Sequence, residues 1–180
     1  MVKDFVPFNI GPAAIERKEL VHHSTYISKQ LFDSADDELI LVADRTYCYY
    51  QKSFNNSFQR KSYSVRKGRH LVKSFVICTT DGYIVGIYGL FEALKNDASI
   101  LSNLLKTNED LRSILKENAT FVLDRGFRDC VKELKDKYKF KVKMPALLSK
   151  NQKQLNSLYA NLSRFVTKIR WVVEVINTFF

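Results

Sequence analysis

The chain has 180 residues and is 46% hydrophobic, which suits one domain with a substantial core and excludes a disordered protein. Its formal net charge of +10 makes a polyanionic partner plausible, although a solvated basic face is the blander reading of the same number. The distribution says more: no acid occurs between Arg45 and Thr80 or between Lys137 and Val173, so two basic stretches alternate with the acids discussed below.

Residues 1–38 are expected to form a partly helical N-terminal extension. Gly11-Pro12 marks a turn, and 13–32 has helical character with a polar middle at His22-His23-Ser24-Thr25. The two histidines have no Cys or acid at ligand spacing and read as surface or capping residues. Asp36-Asp37-Glu38 reads as a solvated loop. The start lacks an apolar core of signal-peptide length, and no apolar run approaches a membrane span.

Leu39-Ile40-Leu41-Val42-Ala43-Asp44 is the centre of the reading. Five apolar residues without polar alternation predict a strand buried on both faces, hence central in a sheet covered by helices. Its terminal Asp stands where open α/β sheets place their chemistry, at the strand ends. Thr120-Phe121-Val122-Leu123-Asp124 repeats the pattern. Two such strands side by side bring two carboxylates together, which is costly unless a cation lies between them or one acid stays protonated.

Between these strands, 53–68 is polar and basic with Phe54, Phe58 and Tyr63 interleaved, either a loop or a strand. The aromatics are suited to stacking on bases, but at least two of the three are expected to anchor the segment to the core. Residues 70–80 and 83–90 form strands joined at Asp81-Gly82, a dipeptide that favours a type I′ hairpin turn. Asn96 or Asp97 caps a helix over 98–106, and Asn108 caps another over 109–117.

After Asp124, Arg125-Gly126-Phe127 turns into a helix reaching about residue 137. A lysine-alternating edge strand at 140–144 ends at Pro145, and 149–157 is polar and basic. The last helix spans 160–180. Its apolar face holds Phe165, Ile169, Val172, Val173 and Ile176, and a polar stripe holds Thr167, Arg170, Glu174 and Asn177. Trp171 reads as a core or groove-lining residue, and His70 as a packed or surface histidine rather than a base. Cys48, Cys78 and Cys130 are odd in number and match no zinc spacing, so they are expected as reduced thiols of an intracellular protein. No glycine-rich phosphate loop occurs. The order of elements predicts one α/β domain with a ribonuclease H-like mixed sheet and helices on both faces.

An ordered set of segments adds a family resemblance. It comprises Ala43-Asp44-Arg45-Thr46, Gln59-Arg60-Lys61-Ser62-Tyr63-Ser64, Lys67-Gly68-Arg69-His70, Asn96-Asp97-Ala98, Val122-Leu123-Asp124-Arg125-Gly126-Phe127 and Ser163-Arg164-Phe165-Val166-Thr167-Lys168-Ile169-Arg170-Trp171-Val172-Val173-Glu174. Together, across about residues 10–177, they resemble the catalytic domain of Harbinger/PIF-type DDE transposases and their domesticated relatives. The resemblance implies a ribonuclease H-like fold and an Asp, Asp, Glu triad holding two divalent metal ions, Mg or Mn. Asp44, Asp124 and Glu174 would then be both the catalytic residues and the metal ligands.

The implied activity is a transposase-like endonuclease that cuts DNA phosphodiesters, and joins them where a partner supplies target capture. The competing expectation is a catalytically inactive, transposase-derived DNA-binding or protein-interaction module. Arg60, Lys61, Arg66, Lys67, Arg69, Arg164, Lys168 and Arg170 are the expected nucleic-acid contacts. Asp97, the rival second acid, and Arg125 are expected as accessory residues; Arg125 and Arg170 suit either phosphate binding or charge compensation of the acids. Partners are expected to be DNA, a separate DNA-binding protein and a second copy of the chain, with no membrane. The expected location is nuclear, otherwise cytoplasmic, and not secreted. Where the family has Gly after its first Asp, this chain has Arg45. The catalytic domain is expected over 39–180, cut short at its C-terminus.

Overall fold

The computed structural model describes residues 11–147 and 154–179. The first ten residues, and part of the polar stretch expected at 149–157, therefore lie outside the described residues. After a single 3-10 turn at Pro12–Ala14 come α1 (Arg17–His22) and α2 (Tyr26–Phe32), separated at Ser24-Thr25. Thr25 caps α2, its hydroxyl accepting from the Ser28 N–H, so one region of helical character becomes two short helices. Strand β1 (Ile40–Tyr49) runs five residues past Asp44. Next come α3 (Asn56–Ser62), β2 (Tyr63–Ser64), β3 (Arg69–Thr79) and β4 (Ile84–Glu92). The second half holds α4 (Asp97–Thr107), α5 (Glu109–Ile114), β5 (Thr120–Val122), a 3-10 helix at Arg125–Cys130, α6 (Val131–Asp136), β6 (Lys141–Lys143) and α7 (Ser157–Asn177).

The fold is mixed α/β. Its sheet runs β4-β3-β1-β5-β6, with β2 paired to the start of β3. β1 is antiparallel to β3 from Leu41↔Thr79 to Tyr49↔Leu71, and parallel to β5 from Ile40↔Thr120 to Val42↔Val122. β5 and β6 are also parallel, which makes β6 the edge strand expected from its lysines.

Alternation along β1 divides the core in two. Leu39, Leu41 and Ala43 pack with Phe75, Ile77 and Phe121 beneath Leu101 and Leu105 of α4. Ile40 and Val42 pack with Val76, Cys78 and Val122 beneath Phe32 of α2 and Val166, Val173 and Ile176 of α7. The unbroken apolar run at 39–43 is thus buried on both faces, as its pattern predicts. No described helix is long and apolar enough to cross a membrane, and all three cysteines are free thiols.

Several local expectations are corrected. The 53–68 segment contains a helix, because Asn55 accepts from the N–H groups of Ser57 and Phe58 and caps α3. Phe54, Phe58 and Tyr63 are all exposed rather than anchored. Phe58 packs against Tyr50 at 5.3 Å, and Tyr63 sits edge-on to His70 at 5.2 Å, so these aromatics gather on one another beyond the covered part of the sheet. The β3–β4 connection is not type I′, since Gly82 has a positive φ of 100° while Asp81 does not. Asp81 instead accepts from the Thr79 hydroxyl and the Tyr83 N–H, bracing a loop closed by a Thr79 N–H to Tyr83 carbonyl bond of 2.9 Å. Its other oxygen meets His23 Nδ1 at 2.7 Å, a bracing role for that histidine. Glu38, expected in a solvated loop, is 5% exposed; it accepts from the Thr120 hydroxyl and pairs with Lys141 at 2.7 Å, tying the chain before β1 to β5 and β6.

Candidate functional site

Asp44 and Asp124 stand at the same level of adjacent strands. Val42 is opposite Val122 in the parallel β1–β5 pair, and each acid lies two residues further on. The Asp44 side chain is buried, with Oδ1 accepting from the Arg45 N–H at 2.8 Å and Oδ2 from Arg170 Nη2 at 3.0 Å. Asp124 lies two residues past β5 and caps the following 3-10 helix, its Oδ1 accepting from the Gly126 N–H at 2.7 Å.

The third acid arrives on α7. The helix docks through Val166, Val173 and Ile176, which brings Arg170 and Asn177 against β1. The predicted polar stripe is therefore only partly a solvent face. Arg170 reaches Asp44, touches Glu174 Oε1 at 3.4 Å, and keeps a buried Nε with no partner among the described residues. Asn177 Nδ2 lies 3.5 Å from the Arg45 carbonyl. Glu174 itself is exposed.

Burial pushes the Asp44 carboxyl up to about 6. Arg170 and the Arg45 N–H pull it down, while the charges of Asp124 and Glu174 push it up. Asp124 and Glu174 therefore each act on the buried Asp44 carboxyl. Among the described residues no three His, Cys, Asp or Glu side chains form a ready-made ion cage. As a donor set, however, carboxylates suit hard divalent cations such as Mg or Mn. Arg170 supplies the positive charge that the acids attract.

Arg45 does not intrude on Asp44. Adjacent residues of a strand point to opposite faces, and Arg45 turns to the α4 side, where its Nε meets Asp97 Oδ2 at 2.5 Å. Lys73 of β3 lies on that same face and donates to Asp97 Oδ1 at 3.1 Å and to the Lys95 carbonyl. Lys73 and Asp97 are only 6% and 7% exposed, so this is a buried charge network. Asn96, not Asp97, is the N-cap of α4, accepting from the Ala98 N–H. Lys73 was missed by sequence reasoning, and the one signal for it was a lysine inside the apolar run of β3. A Cβ placed on Gly126 would stand 2.9 Å from Asp124 Oδ1 and 3.2 Å from Asp97 Oδ2, so the glycine lets both carboxylates approach the same turn.

Among the described residues, the remaining predicted contacts fall into separate groups. Arg60 and Lys61 are on α3, and Arg66, Lys67 and Arg69 surround the turn into β3. Lys61 pairs with Glu92 at 3.1 Å. Arg164 and Lys168 are exposed on α7, whereas Arg170 is drawn inward to Asp44. Arg125 touches none of the acids and instead donates to the Ala146 carbonyl at 2.7 Å. Trp171 is not a core residue; it lines an open apolar groove with Ile27, Leu31 and Val172.

No family model matches the chain, and neither the curated proteins nor the solved structures include a significant match. The functional reading therefore rests on the residues themselves.

Proposed function

We propose that the chain is a transposase-like DDE endonuclease domain that cuts DNA phosphodiesters with the help of two divalent ions. The observation that carries the reading is the β1–β5 register, which sets Asp44, midway along β1, level with Asp124 just past β5, with Arg170 of α7 pairing with both Asp44 and Glu174. The sheet order, three antiparallel strands continued by two strands parallel to β1, supports a ribonuclease H-like fold.

Asp44, Asp124 and Glu174 would hold the ions. When bound, such ions polarise the phosphodiester, activate the attacking hydroxyl or water and stabilise the leaving oxygen. The chain itself contributes position and charge. The Arg45 N–H orients the Asp44 carboxylate, the Gly126 N–H orients Asp124, and Arg170 holds Asp44 and Glu174 together. The basic residues on α3, at the start of β3 and on α7 attract the polyanion.

The deciding experiment is Mn-dependent nicking of supercoiled DNA by the wild type and by Asp44→Asn, Asp124→Asn and Glu174→Gln, with Mn binding followed by calorimetry. Loss of nicking and weaker Mn binding in all three supports one shared site; nicking that survives the substitutions overturns the assignment. Gly126→Ala is a subtler probe, because its methyl group crowds both Asp124 and Asp97. Displacing a carboxylate by a fraction of an ångström is expected to slow nicking about tenfold to a hundredfold. An unchanged rate would remove the Gly126 turn from the site.

One observation favours a second reading. Arg170 already pairs with Asp44 and lies beside Glu174, as a structural counter-ion would in an inactive DNA-binding module. Under that reading DNA binding is salt-sensitive, independent of metal and indifferent to Asp44→Asn.

A further inference from the structure

A second feature lies away from the acids, where β1 leaves the covered part of the sheet. Tyr49 is five residues beyond Asp44 on the same strand, about 16 Å along it. There Tyr49, Tyr50, Gln51, Gly68, Arg69 and His70 line an open pocket of about 470 Å³.

Its chemistry is aromatic and cationic. Tyr49 is 54% exposed, with the Arg69 guanidinium 5.7 Å from its ring centre. Lys67 lies 5.6 Å from the neighbouring Tyr47 ring, which also holds Arg45 at 4.7 Å. Phe58 and Tyr63 add half-open rings against Tyr50 and His70. His70 Nδ1 is buried in the pocket wall with no partner among the described residues. The sequence has no acid between Arg45 and Thr80, so the cations here are unopposed by their own segment. Glu92 approaches from β4, paired with Lys61.

An exposed flat ring backed by a guanidinium and flanked by cations suits a planar π-system carried on a phosphate chain. A base-paired duplex keeps its bases stacked inside and cannot offer such a face without opening. We propose that this pocket takes an unpaired nucleobase of a DNA strand, stacked on Tyr49, with Lys67 and Arg69 against the adjoining phosphates. The proposal deepens the DNA reading given above and rests on it. Tyr49 shares the Arg45 face of β1, opposite Asp44, so the proposal adds that the preferred substrate is DNA with a frayed or single-stranded segment set apart from the cut.

The test compares the affinity of the intact chain for a blunt duplex and for the same duplex with a short single-stranded tail, by fluorescence anisotropy in EDTA. The wild type is expected to bind the tailed duplex about tenfold more tightly. Tyr49→Ala should lose that preference while keeping its blunt-duplex affinity within about twofold, and Tyr49→Phe, which retains the stacking face, should keep the preference. Circular dichroism confirms that each variant is folded. Equal wild-type affinity for both duplexes overturns the pocket assignment while leaving the DNA reading intact. A preference that survives in Tyr49→Ala also overturns it. Binding to neither duplex removes the DNA reading and the pocket together.

Discussion

Asp44→Asn is expected to make the folded chain more stable than the wild type at pH 7.5, in EDTA, by about 3 kcal/mol. The cause is the buried carboxyl, whose pKa lies at about 6 in the fold against an ordinary value of 3.8. A pKa raised on folding means that ionisation opposes folding. The protonated acid gives its full stability below about pH 3.8, and that stability is lost as the pH rises through about 6. A shift of about two units corresponds to about 3 kcal/mol. Asn resembles the protonated acid and carries no such loss. Urea denaturation at several pH values should show the two proteins alike below about pH 4, diverging between about pH 4 and 6, and differing by a constant amount above that. A difference independent of pH would show that the Asp44 charge is not strained. Such a gain on removing a charged side chain is typical of groups placed for chemistry rather than for stability.

Asp97→Ala should act in the opposite direction, destabilising the fold by about 3–5 kcal/mol. The carboxylate is shared by Lys73 and Arg45, and its loss leaves the Lys73 ammonium buried with the Lys95 carbonyl as its remaining partner. Arg45 suffers less, being more open to water and resting over the Tyr47 ring. Adding Lys73→Met to Asp97→Ala removes the stranded charge and is expected to recover about half of the loss. Equilibrium urea melts of the two single variants and the double variant give the cycle. A loss below about 1 kcal/mol for Asp97→Ala would reduce the network to a surface pair.

The two substitutions illustrate what the sequence makes visible. Asp44 and Asp124 are legible because an apolar run carries one piece of information at every position, namely burial, and each run stops at a carboxylate. The faces of β1 follow from simple alternation. The partners do not. Lys73 and Asp97 meet across 24 positions, and Arg170 meets Asp44 across 126, so neither pairing leaves a local trace. Arg45 looks like an intruder beside Asp44 in the linear sequence, yet the pleat turns it to the opposite face. Glu38 looks solvated because it follows two aspartates, and only the edge pairing of β5 with β6 supplies its Lys141 partner. The exposed aromatics of 53–68 fail for a related reason: hydrophobicity predicts burial only where another element arrives to cover it.

The 126-residue separation of Arg170 from Asp44 also matters during synthesis. All the strands of the sheet precede α7 in the chain, so a nascent polypeptide emerging from the ribosome can pair β1, β3, β4, β5 and β6 before the last helix exists. At that stage Asp44 is without its Arg170 counter-ion, and Ile40, Val42, Val76, Cys78 and Val122 lack the cover of Val166, Val173 and Ile176. A chain made only as far as β6 is therefore sticky on that face, and it depends on rapid arrival of α7 or on a chaperone to avoid association through it. Glu174 and Arg170 are translated together on α7, so both reach Asp44 only after every strand of the sheet has been made.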